Sequence, residues 1–132
     1  VSETENVDCG YALLNSLHRD MNKFRLTDGS SVTGIATAKV WTGIKFCGST
    51  SGVVDNGVVT SVNWCGIVDN KIFRNQILFN ATARPGDSGS LLVDRSNNKA
   101  IGLVFAGSEN YSMANHIADV LKELGVQLAY EK

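Results

Sequence analysis

Proline is nearly missing from this chain, with one residue in 132. A proline-rich linker is thereby excluded, and no stretch of biased composition divides the chain into separate units. Cysteine is scarce too. Cys9, Cys47 and Cys65 are an odd number, neither a disulfide framework nor a metal-ligand set, so no metal and no cofactor is expected. Charged residues make up only 19%, with a formal net charge of -1, and the basic residues Arg19, Lys23 and Arg25 cluster only loosely. That leaves no electrostatic footprint for a nucleic acid. No apolar run approaches the roughly 18 residues of a membrane-crossing helix, so a membrane partner is not expected either. Histidine is limited to His18 and His116, a scarcity that matters for any base-assisted chemistry.

What is present is a globular composition: 43% hydrophobic residues and 13 glycines in a chain sized for one substantial core. Short apolar or alternating runs recur between Gly, Asn and Asp. They are "YALLNSL" (11–17), "SVTGIAT" (31–37), "VWTGIKFCG" (40–48), "GVVTSVNWCGIV" (57–68), "IFRNQILF" (72–79), "GSLLVD" (89–94) and "AIGLVFAG" (100–107). With "DNG", "DN" and "SNN" between them, they read as strands joined by short hairpin loops. Only "NHIADVLKEL" (115–124) reads as a helix, with Asn115 as N-cap and Gly125 as the stop. Antiparallel strands ending in one helix point to a β-barrel or sandwich. If "VDNG" (54–57) turns a long hairpin, Cys47 and Cys65 fall nearly opposite and a disulfide is open to them; the alternative is buried free thiols. Free thiols favour a reducing compartment such as the cytoplasm. The polar stretch "HRDMNKFRLTDGS" (18–30) separates the first candidate strand from the rest, giving an expected division into 1–25 and 26–132.

The stretch "RPGDSGSLLVD" (84–94) carries the chemistry. Glycines at 86 and 89 permit a tight turn whose backbone N–H groups converge on one point beside Ser88. Acyl transfer needs that combination, a hydroxyl to attack and N–H donors aimed at the oxyanion that develops. Gly86 is expected because a side chain there would obstruct a substrate carbonyl. The alternative is a plain hairpin turn.

Residues 80–125, with G-D-S-G, the strand after it, "AIGLVFAGS" and a terminal helix, resemble the C-terminal half of the trypsin/chymotrypsin-like serine peptidases, bacterial members especially. "KFCGSTSGVV" resembles the glycine-rich hairpin of that family more loosely. The resemblance implies an all-β fold, an antiparallel trypsin-like second barrel closed by a C-terminal helix. It implies Ser88 as nucleophile, the N–H groups of Gly86 and Ser88 as oxyanion hole, and Asp87 as the buried acid that props the loop. Val104, Phe105, Ala106 and Gly107 would line the primary pocket and pair with substrate main chain. Thr82, six residues before the nucleophile, would floor that pocket, and its neutrality implies an uncharged residue before the scissile bond.

"NVDCGYALL" (6–14) is similar to the family's segment around the triad aspartate, which makes Asp8 the candidate; an exposed turn aspartate is the alternative. The family order is His, Asp, Ser, yet only "VSETENV" precedes Asp8. His18 and His116 read as surface or capping residues. The expectation is therefore the C-terminal portion of a serine endopeptidase, acting on protein or peptide substrates, with the histidine supplied by an N-terminal barrel. Residues 1–25 would be a remnant of that first barrel, and the isolated chain would be inactive. The alternative is a non-catalytic binding or structural domain of the same fold.

Overall fold

The structure is a computed structural model that describes residues 26–125 and 127–128 in full, and the backbone of 2–3 and 8–9. The expected strand at 11–17 and His18 lie outside the described residues. Two short strands, β1 (Ser2–Glu3) and β2 (Asp8–Cys9), pair antiparallel with Glu3 opposite Asp8. The main sheet contains β4 (Ile44–Gly48), β5 (Gly52–Val54), β6 (Val59–Val68), β7 (Lys71–Phe79), β8 (Leu91–Asp94), β9 (Lys99–Gly107) and β10 (Ser112–His116). Its order is β5-β4-β8-β9-β10-β7-β6, all antiparallel, with the short β3 (Gly34–Ile35) lying parallel to the start of β9. Helix α1 (Ile117–Leu124) follows β10 directly. Main-chain bonds from Val59 to Thr42 and from Ile44 to Gly57 tie the start of β6 to the start of β4, so the sheet curls back on itself at that corner.

Side-chain alternation explains where the core sits. Successive strand residues face opposite sides, and "LLVD" of β8 has no polar interior position because both its faces are covered. Leu92 joins Ile44, Phe46, Val59, Ile77, Phe79, Ile101 and Val104 on one side. Leu91 and Val93 join Leu26, Val32, Ala100 and Ile117 on the other, where α1 docks. Phe46 and Phe79 meet edge to face, ring centroids 5.9 Å apart.

Three expectations need correction. The chain reverses at Ser49–Ser51, not at "VDNG": β4 pairs with β5 and sets Cys47 opposite Val53, while β6 pairs with β7. Cys47 and Cys65 are consequently not cross-strand partners, and both are free, Cys47 half-buried and Cys65 exposed. The second concerns the helix, which starts at Ile117, with His116 at the N-cap position and no side-chain cap. Asn115 belongs to β10, fully buried, where its amide donates to Gln76 Oε1 at 2.7 Å. That internal partner is what lets an asparagine sit inside a strand. The third is the run at 31–37, which contributes only the two residues of β3. Gly125 does end the helix, at φ 66, with its N–H on the last turn's carbonyls.

Candidate active site

Between β7 and β8 the chain makes two consecutive β-turns that share Asp87. Asp87 N–H donates to Arg84 O at 2.9 Å, and Ser90 N–H donates to Asp87 O at 3.1 Å. The third residue of each turn is a glycine with positive φ, Gly86 at 100° and Gly89 at 91°. Only type II turns combine that requirement with ordinary φ at the second position, here Pro85 and Ser88. The sequence R-P-G-D-S-G-S is thus two type II turns written end to end. Both ends are pinned: Gly89 N–H donates to Val104 O and Val104 N–H to Ser90 O, while Ala83 N–H donates to the buried Ser112 hydroxyl.

The double turn holds Ser88 out of the core. It is exposed, and its Oγ–H donates to Phe105 O at 3.1 Å. Among the described residues the N–H groups of Gly86 and Ser88 have no acceptor. Asp87 between them turns inward and is fully buried. Its Oδ1 accepts the N–H groups of Thr50 and Ser51, both at 2.9 Å, and its Oδ2 accepts Arg84 N–H at 2.8 Å and the Ser51 hydroxyl. Burial alone would push this carboxyl up. The Ser51 hydroxyl and the three N–H donors outweigh it and hold the pKa at about 2.

Two cavities open beside Ser88. One, of about 230 Å³, is lined by Ala83, Arg84, Pro85, Phe105, Ala106 and Gly107, by Val68 at the end of β6 and by Asp69 of the β6–β7 turn. Thr82 and Val104 do not line it: Thr82 is exposed with its hydroxyl on Glu109 O, and Val104 is in the core. The Phe105 ring packs on Phe73 at 4.7 Å. The second cavity, about 290 Å³, lies toward Leu26, Thr27, Cys47 and Ser49. His116, at the end of β10, has its Nε2 within 2.7 Å of Val62 O. The Asp8 side chain lies outside the described residues. No group of three or more metal-ligating side chains is found among the described residues.

Two features were not anticipated. Thr50 and Ser51, on the β4–β5 turn, supply most of Asp87's donors; "GSTSG" (48–52) signals a turn, but nothing in it announces a partner 36 residues away. Gly86 has a reason beyond those expected from the sequence. A Cβ there would overlap the Thr50 hydroxyl, on the side of the loop's own support.

The same architecture occurs in solved structures. Chymotrypsin of Cellulomonas bogoriensis superposes with a TM-score of 0.71 at 25% identity, over 83% of this chain and 62% of that one. The fold is that of the chymotrypsin-like serine proteases. Protease A of Thermobifida fusca gives a TM-score of 0.73 at 21% identity, covering 83% of this chain and 61% of that one. The Nocardiopsis protease NAPase gives 0.67 at 22%, covering 79% and 58%. This chymotrypsin-like chain therefore spans less than two thirds of the length of each of these proteins. The sequence matches no protein-family model and no curated protein.

Proposed function

We propose that the chain is the C-terminal portion of a serine endopeptidase in which Ser88 is the nucleophile. The observation that carries this reading is the double type II turn, which exposes the Ser88 hydroxyl and leaves the N–H groups of Gly86 and Ser88 unpaired on either side of Asp87. In this reading Ser88 Oγ attacks the scissile carbonyl as a base removes its proton. The carbonyl oxygen takes the negative charge and is held by those two N–H groups. The proton then passes to the leaving amine, and water hydrolyses the acyl-enzyme. Residues 105–107 of β9 offer substrate main chain a strand to pair with, and the cavity they line takes the side chain before the scissile bond.

Among the described residues no base is placed to take the Ser88 proton. Phe105 O, which accepts the hydrogen bond of the Ser88 hydroxyl, cannot abstract its proton, and His116 is engaged with Val62 O. We assign the histidine to an N-terminal barrel beyond the described residues, Asp8 to the triad aspartate, and residues 1–25 to the remnant of that barrel. A non-catalytic domain is the second reading, favoured by the Ser88–Phe105 hydrogen bond. Hydrolysis of a peptide library by the complete gene product separates the two. The peptidase reading expects cleavage that Ser88→Ala abolishes; a binding domain expects none, or cleavage indifferent to that substitution.

A further inference from the structure

Thr50 grips the loop twice. Its N–H donates to Asp87 Oδ1 at 2.9 Å, and its hydroxyl donates to Pro85 O at 2.7 Å. The second bond bears on chemistry. Pro85 O and Gly86 N–H belong to one trans peptide and point in opposite directions. Whatever fixes the carbonyl therefore aims the N–H. This peptide is the central one of the first type II turn, and rotating it by half a turn would give the type I form without moving the flanking residues. In that form Gly86 N–H would point the opposite way, and the Pro85 carbonyl would take its place.

We infer that Thr50 is a positioning residue for anion stabilisation, its hydroxyl holding the Pro85–Gly86 peptide in the type II orientation so that Gly86 N–H stays available beside Ser88. The inference rests on the reading of Ser88 as a nucleophile. Two contacts give it content beyond ordinary turn support. The hydroxyl sits against the Gly86 α-carbon so closely that a Cβ could not be placed there. The same residue also holds Asp87, so the carbonyl anchor and the buried carboxylate share one rigid support on the β4–β5 turn. Pro85 and Gly86 favour a type II turn by themselves, and Thr50 adds the bias of a hydrogen bond of ordinary strength, about three- to tenfold in population.

The test compares Thr50→Val, which removes the hydroxyl at nearly constant shape, with Thr50→Ser, which keeps it. Thr50→Ala serves if valine is not accommodated. Both variants retain the backbone bond to Asp87. The first readout needs no catalysis: in the 132-residue chain the nuclear Overhauser effect between Pro85 Hα and the Gly86 amide proton is strong in a type II turn and weak in type I. It is expected to weaken in Thr50→Val and to stay at full strength in Thr50→Ser. In the complete gene product, kcat is expected to fall by up to about twofold for Thr50→Val at unchanged KM, because Pro85 and Gly86 still favour type II, with Thr50→Ser restoring it. An unchanged effect in Thr50→Val and Thr50→Ala, or a Thr50→Ser that behaves like valine, overturns the inference. A gene product whose hydrolysis ignores Ser88→Ala overturns the peptidase reading instead, and the NMR comparison then decides the role of Thr50 alone.

Discussion

Among the described residues, buried Asp87 has neutral partners: two N–H groups and a hydroxyl from Thr50 and Ser51, and the Arg84 N–H. Among the described residues no cation meets it, and the loop is held by these hydrogen-bond donors. Its folded pKa of about 2 lies below the ordinary 3.8, so unfolding takes up a proton as the medium is acidified. The stability it adds, about 2 kcal/mol, is whole above pH 4 and lost as the pH falls through about 2. Asp28, held at about 2 by its hydrogen bond to Lys45, moves in the same direction. Ser51→Ala is expected to raise the Asp87 pKa and to cost about 1–3 kcal/mol at pH 7, with the difference from the parent shrinking toward pH 2. Urea denaturation at both values checks this; an equal deficit at both would separate the Ser51 bond from the carboxylate's charge. Gly48 tests the same contact from the other side. A Cβ there would overlap Asp87 Oδ1, so Gly48→Ala is expected to lower the melting temperature and cost about 1–3 kcal/mol by overpacking. A variant as stable as the parent would mean that the carboxylate can shift freely.

At the scale of elements, legibility followed the alternation of side chains. Runs 57–68, 72–79, 89–94 and 100–107 carried β6 to β9 in their composition, and the Asp69–Asn70 turn, both residues at positive φ, fits the two-residue loop expected there. Strand β10 was not legible, because Asn115 reads as a helix cap until its buried partner Gln76 is known. The hairpin at 49–51 was readable through the resemblance of "KFCGSTSGVV" but not through turn chemistry: "STS" and "VDNG" are both competent turns, and pairing across the sheet decides between them. In the site, the G-D-S-G signal was local and readable, whereas its support by Thr50 and its cavity walls depend on residues distant in sequence. Gly107 shows the consequence for specificity. A Cβ on it would overlap Ala83 O and lie 2.7 Å from Ser112 Oγ, so segment 81–83 fills the space beneath β9. Ser112 locks that arrangement by donating to Ala81 O and accepting from Ala83 N–H. Segment 81–83 carries no charge, and of the two charged residues on the cavity walls, Asp69 and Arg84, the arginine opposes a cation. A small uncharged residue is expected before the scissile bond. Profiling the active gene product on a peptide library checks it, with dominant cleavage after Lys or Arg as the contrary result.

For the whole molecule, the described chymotrypsin-like sheet presents a serine, two N–H groups without an acceptor and a loop held from the β4–β5 turn, and the peptidase reading adds a proton acceptor to them. The chain covers 62% of the length of the Cellulomonas bogoriensis enzyme, and the proposal places the acceptor in a segment of the complete protein. Removing one triad member leaves about 10³–10⁴-fold acceleration over water, far below a working protease, so the 132-residue chain alone is expected to be nearly inert toward peptides. The most direct measurement is the rate of modification by a fluorophosphonate, with the modified residue located by mass spectrometry, in the 132-residue chain and in the complete gene product. The account predicts fast labelling at Ser88 in the complete protein and labelling at least a thousandfold slower in the chain alone. Labelling at another residue, or Ser88 reacting as fast in the chain by itself, would contradict it.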